Sequence, residues 1–300
     1  MRMNSLAPIV LFTYKRIETL KKNIAALSSS ILAKESDLIV YSDGGKNDFE
    51  EIKIKEVRAF LKTINGFKSV TIHESPVNKG LAASIISGVS EVMLIYKKAI
   101  VLEDDLIISR NFLVFMNQGL DYYQNNPRIL SISGYSPTIT GLKPNDIYFT
   151  HRACSWGWAT WEDKWKLIDW NCSNYEEFAQ DDFAVSKFNK MGSDLSRMLN
   201  RQMRGKINSW AIRFCYNQFR KGLFSIHPAV SKVVNIGFSA DATNTKMTHS
   251  PYETKLDDSR ETNFKFTTDI KIENSIIQQF TRPFSIPVRI KYKLFNMLTS

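Results

Sequence analysis

Short apolar runs alternate with longer amphipathic segments over the first half of the chain. The runs have strand length and lie at Pro8–Thr13, Leu38–Tyr41, Ser69–His73, Ala99–Leu102 and Ile129–Ser133. Between them, apolar residues recur at steps of three and four, which predicts helices over about 17–27, 49–64, 81–96 and 110–123. Ser109 is the predicted N-cap of the last helix. This alternation is typical of βαβ units, so we expect an α/β fold with a mainly parallel sheet and helices on both faces.

Polar clusters follow several of the predicted strands. Asp43 follows the second strand, His73 and Glu74 end the third, residues 78–80 precede the next helix, and residues 103–105 follow the fourth strand. The carboxyl ends of parallel strands meet at one edge of a sheet, which is where α/β proteins bind ligands. Each cluster alone is typical of a turn or a helix cap. Their convergence on one edge predicts a ligand site.

The composition is that of an ordinary globular protein. The chain has 300 residues, of which 43% are apolar and 23% charged, so it can bury a substantial core, and collagen, coiled coil and general disorder are disfavoured. No run approaches the roughly 18 apolar residues of a membrane-spanning helix. Residues 1–7 do not resemble a cleavable signal, and three cysteines without CxxC spacing are expected to be free thiols, so we expect a cytoplasmic protein.

Basic residues exceed acidic ones by 40 to 30, giving a net charge of +10 and a pI of about 9.4. This excess favours an anionic partner: a nucleic acid, a membrane surface or a phosphorylated ligand. The last twenty residues carry Arg282, Arg289, Lys291 and Lys293 among many apolar residues and no acid. We expect this basic tail either to lie on the inner face of an anionic membrane or to pack on the domain as a helix. Residues 251–270 are polar and predict a loosely structured linker or a peripheral strand.

The three consecutive carboxylates Glu103, Asp104 and Asp105, here called the acidic triplet, predict a metal site. Adjacent carboxylates at the end of a buried strand repel one another unless a cation neutralises them. Mg²⁺ and Mn²⁺ take oxygen ligands, commonly one or two carboxylates with water and phosphate oxygens. Because side chains alternate at a strand end, we expect Asp105 to face the cleft and Glu103 to brace it from behind.

Other nucleotide sites and hydrolytic sites lack their motifs. No glycine precedes Gly44, which disfavours a dinucleotide-binding Rossmann protein and a nucleotidyltransferase, and there is no GxxxxGK[ST] sequence for a P-loop. The histidines lack zinc-site spacing, and no serine lies in a GxSxG elbow. Of the nucleotide sites considered, the sequence leaves one in which side chains and a metal hold the nucleotide.

An ordered set of motifs carries a family resemblance. It consists of PIVLFTYKR at 8–16, SDGG at 42–45, NKGLAAS at 78–84, VLEDDL at 101–106, SISGYSP at 131–137, RACSWGWATW at 152–161, Pro228–Ser231 and Thr248–Ser250. Over roughly residues 6–250, the chain resembles nucleotide-sugar-dependent glycosyltransferases of the GT-A fold. The likeness is to bacterial polysaccharide glycosyltransferases and, more distantly, to the Golgi N-acetylglucosaminyltransferase that initiates complex N-glycans.

The resemblance implies a domain organisation and a reaction. Residues 1–250 would form the GT-A domain, with a nucleotide-sugar-binding half at 1–135 and an acceptor-side half at 136–250, and residues 251–300 would be a C-terminal extension. The donor would be a nucleoside-diphosphate sugar, foremost a UDP-sugar, used with Mn²⁺ or Mg²⁺. The acceptor would be a saccharide, either free or on a lipid carrier, in O-antigen or capsule synthesis. The enzyme would be a hexosyl- or N-acetylhexosaminyltransferase.

The resemblance also implies roles for individual residues. Those expected to contact the donor are Thr13, Tyr14, Arg16, Asp43, Lys79, Gly80, Asp104, Thr248, His249 and Ser250. The metal would be held at Asp105 and Glu103. The residues expected at the acceptor are Ser133, Gly134, Trp156, Gly157, Trp158, Trp210 and Arg213.

The catalytic base is the point at which the chain departs from the family. Inverting members place an acidic base shortly before a Trp or Leu and an Arg, where this chain has Asn208 and Ser209 before Trp210. Asparagine cannot accept the acceptor's proton as a base. Glu162 and Asp163 are the nearest acidic candidates in sequence; a mechanism other than simple inversion and a weakly active copy are the alternatives.

Five of the six tryptophans lie between residues 156 and 170. Aromatic faces stack on sugar rings, so Trp156, Gly157 and Trp158 are predicted to bind the acceptor, with the glycine admitting it close to the backbone. Trp161, Trp165 and Trp170 are predicted to build core, and a belt at a membrane interface is a further alternative for the cluster. A carbohydrate-binding protein without catalysis is a rival hypothesis, as is a nucleic-acid-binding module, which the acidic triplet disfavours.

Overall fold

A computed structural model describes residues 5–237 and 250–299 of the chain. The strands in the described residues are β1 (Ile9–Thr13), β2 (Asp37–Ser42), β3 (Ser69–Glu74), β4 (Lys98–Glu103), β5 (Leu106–Ile108), β6 (Ile129–Ser133), β7 (Ile147–Thr150), β8 (Trp158–Trp161), β9 (Phe224–Pro228) and β10 (Val233–Asn235). The α-helices are α1 (Ile17–Ser28), α2 (Asp48–Leu61), α3 (Leu81–Tyr96), α4 (Phe112–Tyr123), α5 (Glu162–Trp165), α6 (Tyr175–Gln180), α7 (Asp182–Asn189), α8 (Leu195–Met203), α9 (Trp210–Arg220), α10 (Asn274–Thr281) and α11 (Ile286–Thr299).

Eight strands form one sheet in the order β3-β2-β1-β4-β8-β6-β9-β7. The first four strands of this order run parallel to one another, and β6 runs parallel to β9, whereas β8 runs antiparallel between β4 and β6. Strand β7 is the last strand at this edge of the sheet and pairs antiparallel with β9. The predicted α/β class with a mainly parallel central sheet is confirmed.

Helices cover both faces of this sheet, as the apolar pattern predicts. On one face α1, α2 and α4 pack into a core that includes Leu20, Val57 and Phe115. On the other face α3 and α9 contribute Val89 and Phe214 to a second core. Strand β1 is buried along its whole length because it has a neighbour on each side and a helical layer on each face.

The predicted boundaries need one substantial correction, at the start of α4. The short strand β5 follows the acidic triplet and pairs with β10, which the sequence pattern did not indicate. Ser109 is therefore not the N-cap: the residue before the helix is Asn111, whose Oδ1 accepts a hydrogen bond from Ser109 Oγ at 2.7 Å. The second helix also ends at Leu61, short of the predicted residue 64.

The segment of residues 251–270 contains neither helix nor strand but is packed on the body of the protein. Its Asp257 N–H donates to the Ser231 carbonyl oxygen at 2.8 Å, and Phe264 makes an edge contact with Phe115 at 5.0 Å between ring centroids. The expectation of a loose linker is wrong, because side chains scattered along a polar sequence supply specific anchors. Beyond it, α10 docks through Ile276 and Phe280 on a third core formed largely by α6–α9. None of the described helices is long and apolar enough to cross a membrane.

Candidate functional site

The carboxyl ends of β1, β2 and β4 bring the predicted polar residues to one edge of the sheet. Strand β1 lies between the other two, with Thr13 paired to Ser42 of β2 and Phe12 paired to Glu103 of β4. Asp43 follows directly after β2. Parallel pairing in this register places the residues after β1 and β2 beside the acidic triplet, as the strand pattern predicts.

Asp104 is a structural hub of this edge. Its Oδ2 accepts hydrogen bonds from Thr13 Oγ1 at 2.9 Å and from the Tyr14 backbone N–H at 3.1 Å. Arg16 Nη2 donates to Asp104 Oδ1 at 2.9 Å and to Asp105 Oδ2 at 2.8 Å. The turn after β1 and the turn after β4 are therefore joined by four hydrogen bonds.

With all three carboxyl groups ionised, the acidic triplet would carry more negative charge than Arg16 can neutralise. Burial, together with the charges of Asp105 and Asp104, raises the pKa of Glu103 to about 8. Burial also raises the pKa of Asp104, although Arg16 favours its charged form. Asp105 Oδ1 is buried and has no hydrogen-bond partner among the described residues. An oxygen in that condition costs free energy unless a further donor or cation reaches it.

This shortfall fits a hard divalent cation bound at Asp105. Such a cation commonly takes one or two carboxylates and completes its shell with water and phosphate oxygens. Within the described residues, no three His, Cys, Asp or Glu side chains converge on one point. The protein's contribution would thus be Asp105, with the remaining ligands coming from outside this set. Thr248 and His249 lie outside the described residues, and Ser250 is buried with its Oγ accepting from the Tyr252 N–H.

Asp43 organises the loop that leads into α3. Its carboxylate accepts hydrogen bonds from the backbone N–H groups of Gly44 at 3.0 Å, Lys79 at 2.8 Å and Gly80 at 2.9 Å. Oδ2 accepts one of these three bonds and keeps capacity for a ligand donor. Gly80 has φ of +77°, and no atom lies within 4 Å of the place a β-carbon would take, so the backbone here faces open space at the start of a helix.

A cleft of about 420 Å³ opens beside Asp43, between β2, β3 and α3. Its wall contains Tyr41, whose ring stacks on His73 at 4.7 Å and whose hydroxyl donates to Glu91 Oε2 at 3.0 Å. Sequence reasoning did not single out Tyr41 or Glu91. Tyr41 looked like an ordinary strand residue, and Glu91 lies 50 positions further along the chain, so nothing local pointed to either.

Tyr14 and Lys15 face a different acid from their neighbour Arg16. The Tyr14 hydroxyl and the Lys15 ammonium both donate to the carboxylate of Glu50 on α2. The hydrogen bonds from Lys15 and then Tyr14 lower the pKa of Glu50 to about 2. The Tyr14 side chain therefore points towards α2, while its backbone N–H serves Asp104.

Most of the tryptophan cluster is core, which corrects part of the predicted acceptor site. Trp158 and Trp210 are 2% and 4% exposed, and their rings stack at 4.9 Å. A side chain so enclosed cannot contact a saccharide, so the predicted direct roles of Trp158 and Trp210 are wrong. Trp161 and Trp165 are buried as predicted, with their indole N–H groups donating to the Leu120 carbonyl and to Ser90 Oγ.

The glycines of this region serve packing rather than access. A β-carbon on Gly157 would lie 2.8 Å from Val233 Cγ2, and one on Gly134 would lie 2.7 Å from the same atom. Gly157 also has φ of +58°. The prediction that Gly157 admits a substrate to the backbone is wrong, because Val233 fills that space. Ser133 and Gly134 are likewise buried, whereas Trp156 is half-buried and edge-on to Tyr135 at 4.8 Å.

Asn208 and Ser209, at the position where the resemblance would place the base, do not form one. Asn208 is exposed and its Oδ1 accepts from Arg213 Nη2 at 3.2 Å. Ser209 is the N-cap of α9, its Oγ accepting from the Ile212 N–H at 3.4 Å. Arg213 also donates to the Trp170 carbonyl oxygen.

Glu162 and Asp163 lie at the wrong edge of the sheet to act as the base. The Glu162 N–H donates to the carbonyl oxygen of Lys97, just before β4 begins, whereas the acidic triplet lies where β4 ends. Six strand residues separate the two ends, about 17 Å at the rise of a parallel strand. Glu162 is instead paired with Lys97 and Lys166. Their proposed role as base is therefore wrong.

Comparisons with known proteins give only distant similarities. No protein-family model matches the chain, and no curated protein matches it in sequence. Similar solved structures include the mannosyltransferase PcManGT from Pyrobaculum calidifontis in complex with GDP-Man and Mn²⁺, with 11% identity over 56% of this chain and 49% of that chain, and a TM-score of 0.37. For S. aureus TarS the identity is 11% over 46% of this chain and 23% of that chain, with a TM-score of 0.32. For S. aureus TarS 1–349 it is 7% over 77% and 61%, with a TM-score of 0.43.

This chain spans less than two thirds of the length of each of those three structures. All three TM-scores are below 0.5, so the similarities do not decide the activity. The function has to be argued from the residues at the carboxyl edge of the sheet.

Proposed function

We propose that the chain is a metal-dependent glycosyltransferase that moves a sugar from a nucleoside-diphosphate sugar, foremost a UDP-sugar, to a saccharide acceptor. The observation that carries the proposal is the buried Asp105 Oδ1 at the carboxyl edge of a parallel sheet, which has no hydrogen-bond partner in the part of the chain that the structure describes. A carboxylate oxygen without a donor, in a triplet with one arginine, calls for a cation at the edge where α/β proteins bind nucleotides.

The nucleotide is proposed to lie along the edge between the cleft and the acidic triplet. Asp43 has an acceptor lone pair available beside the cleft, and Tyr41 with His73 offers a stacked aromatic wall. The start of α3 suits an anionic group because the N-terminus of a helix carries partial positive charge, although the Gly80 N–H itself already donates to Asp43. Lys79 is exposed next to it and adds positive charge.

The chemistry of the transfer is the departure of a nucleoside diphosphate from the sugar. A divalent cation at Asp105 would stabilise the negative charge that the leaving group gains. Asp104 fixes the turn after β1 through Thr13 and Tyr14, so that the site is in place before a ligand arrives. Arg16 holds the two aspartates in one arrangement and keeps a cation near the departing phosphates.

The finer assignments extend this proposal from the family resemblance. The acceptor is proposed to be a saccharide on a lipid carrier, in surface-polysaccharide synthesis at the cytoplasmic face of a membrane. The transferred group is a hexose or an N-acetylhexosamine. Trp156, half-buried beside Tyr135, is the tryptophan of the predicted acceptor set that remains reachable.

A second candidate function is nucleotide-sugar binding without transfer. Asn208 and Ser209 occupy the place where the resemblance puts the base, and Glu162 and Asp163 lie at the opposite edge of the sheet. A chain that binds the donor but lacks a residue to accept the acceptor's proton would hold the nucleotide-sugar without consuming it.

The test is a panel of nucleotide-sugars assayed for binding, hydrolysis and transfer with Mn²⁺, Mg²⁺ or chelator. We expect binding to one donor, dependent on the metal and weakened about a hundredfold or more by Asp105→Asn, since even outer-shell changes at metal sites cost 10- to 100-fold. Asp258→Asn is the matched control, because Asp258 pairs with Lys255 on the exposed surface. Binding without turnover supports the second candidate, and no binding to any donor contradicts both.

A further inference from the structure

Helix α11 presents an apolar stripe that no described residue covers. Its members are 53% to 85% exposed and recur at steps of three, four and one along the helix: Ile286, Ile290, Leu294, Met297 and Leu298. The opposite face, with Tyr292 and Arg289, is partly buried, and Arg289 Nη1 donates to Ser193 Oγ at 3.3 Å. The helix is therefore seated on the protein by one side and turns its apolar side outwards.

Basic residues border the stripe on both sides. With about 100° between successive residues of a helix, Lys291 lies roughly 80° to one side of the stripe's centre and Lys293 roughly 80° to the other. Both lysines are exposed. Lysines at the two margins of an apolar face can bury their methylene stems while their ammonium groups stay at the water boundary.

The charge of this segment distinguishes between possible occupants of the stripe. Residues 274–299 contain no aspartate or glutamate. If two copies paired through the stripe, the lysines of each would face lysines of the other across the interface, with no acid in either helix to compensate. An anionic lipid surface satisfies both features at once, because acyl chains cover the apolar stripe and headgroup charges meet the lysines.

The attachment of the segment fits the same occupant. Phe280 and Phe284 are buried in the core formed largely by α6–α9, so the chain is anchored just before α11 begins. From there the exposed apolar residues continue to the end of the described helix. We propose that α11 is an in-plane membrane anchor that binds an anionic phospholipid surface. This inference is independent of the proposed glycosyl transfer.

The test is co-sedimentation of the full chain with vesicles of phosphatidylcholine alone or of phosphatidylcholine mixed with phosphatidylglycerol. We expect binding to the mixed vesicles and little to the neutral ones. Lys291→Gln with Lys293→Gln should weaken binding about thirtyfold, from about 1 kcal/mol per basic residue near the surface. Ile290→Ser should weaken it about tenfold, because part of an isoleucine side chain is no longer buried in lipid.

Matched controls separate the helix from general surface effects. Ile95→Ser removes an equally large exposed isoleucine from α3, and Lys187→Gln with Lys190→Gln removes two exposed lysines elsewhere. Both controls should bind vesicles as the unmodified chain does. Equal binding by every variant, no binding to mixed vesicles, or a dimer in sedimentation velocity that Ile290→Ser dissociates would each overturn the proposal. Donor binding in solution should be unchanged in the α11 variants, so failure here is distinct from failure of the proposed function.

Discussion

At the residue scale, the site depends on the small number of donors that the described residues direct at the acidic triplet. Arg16 is shared between Asp104 and Asp105, and Asp104 is further engaged by Thr13 and Tyr14. Within residues 5–237 and 250–299, Asp105 has one oxygen in contact with Arg16 and one without a partner. The asymmetry between these neighbouring residues makes Asp104 the structural member of the pair and Asp105 the proposed cation ligand.

Gly237 lies directly against Asp105 and Arg16, so a side chain at this position should displace them. A β-carbon on Gly237 would lie 2.2 Å from Asp105 Oδ2 and 2.9 Å from Arg16 Nη1. We therefore expect Gly237→Ala to weaken metal-dependent nucleotide binding at least tenfold in a calorimetric titration. Gly141→Ala is the control, because its β-carbon meets no atom within 4 Å. It should cost about 1 kcal/mol of stability through its positive φ and leave binding intact. Equal binding by both variants would contradict this role of Gly237.

The ion pair between Arg152 and Asp194 predicts a pH dependence of stability. The two guanidinium nitrogens contact the two carboxylate oxygens at 2.8 Å each, and both side chains are largely buried. Burial alone would raise the pKa of Asp194, but Arg152 outweighs it and holds the pKa below its usual value. A carboxyl with a depressed folded-state pKa contributes stability above its unfolded pKa of about 4 and loses that contribution as the pH falls through the folded value.

Asp194→Asn should therefore lower the free energy of unfolding at neutral pH by about 3–5 kcal/mol, since it leaves Arg152 buried and unpaired. The difference from the unmodified chain should shrink as the pH falls below about 4. Urea denaturation of both proteins over a pH series measures this. A difference that stays constant down to the lowest pH would show that the pair does not carry the effect.

At the element scale, a residue expected to take part in catalysis instead marks the start of a helix. Ser209 lies where the resemblance would place the base, but in the structure it caps α9. That helix brings Trp210 and Phe214 onto the sheet. The cap at the start of α9 therefore supports the packing of this helix on one face of the sheet.

Ser209→Ala should lower stability by about 1 kcal/mol, the usual cost of losing a helix N-cap. Ser209→Asp should keep most of that stability, since aspartate is an equally good N-cap. Thermal denaturation of the two variants separates capping from catalysis. A variant with unchanged stability but lost transfer would instead indicate that the hydroxyl acts on substrate.

The elements that the sequence predicted are those built from local patterns. Strands β1–β4 and helices α1–α4 have alternating apolar positions or runs bounded by turns, and these are found close to the expected bounds. Strand β8 was missed because its four residues, WATW, are buried by pairing with β4 and β6. Nothing within those four residues distinguishes a central antiparallel strand from a sugar-binding aromatic cluster.

The same distinction applies to the site. The convergence of Asp43 and the acidic triplet on one edge of the sheet could be predicted, because parallel strands place their carboxyl ends together. The contact of Arg16 with Asp104 spans 88 positions, and that of Tyr41 with Glu91 spans 50. Such contacts depend on register and on side-chain conformation, which periodicity does not encode.

At the scale of the whole molecule, the C-terminal segment is held by a buried charge pair. Lys232, fully buried, donates to Asp257, which also accepts from Asn111 Nδ2 at 2.8 Å. Burial lowers the pKa of Lys232 even though Asp257 favours its charged form. The pair thus offsets the cost of burying its own charges and fixes where residues 251–270 lie on the body of the protein.

Lys232→Met should destabilise the fold by about 3–5 kcal/mol, because it leaves the Asp257 carboxylate buried without its counter-ion. The double variant Lys232→Met with Asp257→Leu should recover much of that loss, since neither charge is then buried. Denaturant midpoints of the single and double variants measure the coupling. Additive losses in the double variant would contradict this account of the pair.

Acidic and basic residues are unevenly distributed over the molecule. The sheet edge proposed to bind the donor is acidic at residues 103–105, while the segment from 274 onwards is basic without an acid. A basic chain with an acidic site is consistent with a metal at that site and an anionic surface at the tail. The excess of basic residues therefore bears more on the proposed location of the protein than on its proposed reaction.

The central claim is that one divalent cation is bound by both Asp105 and the diphosphate group of the nucleotide. Its most direct test is a crystal of the full chain soaked with UDP and Mn²⁺, with anomalous scattering used to locate the manganese. The account predicts a manganese peak in contact with an Asp105 carboxylate oxygen and with the diphosphate, and loss of that peak in Asp105→Asn. A manganese peak away from Asp105, or UDP bound identically without any metal at this edge, would contradict it.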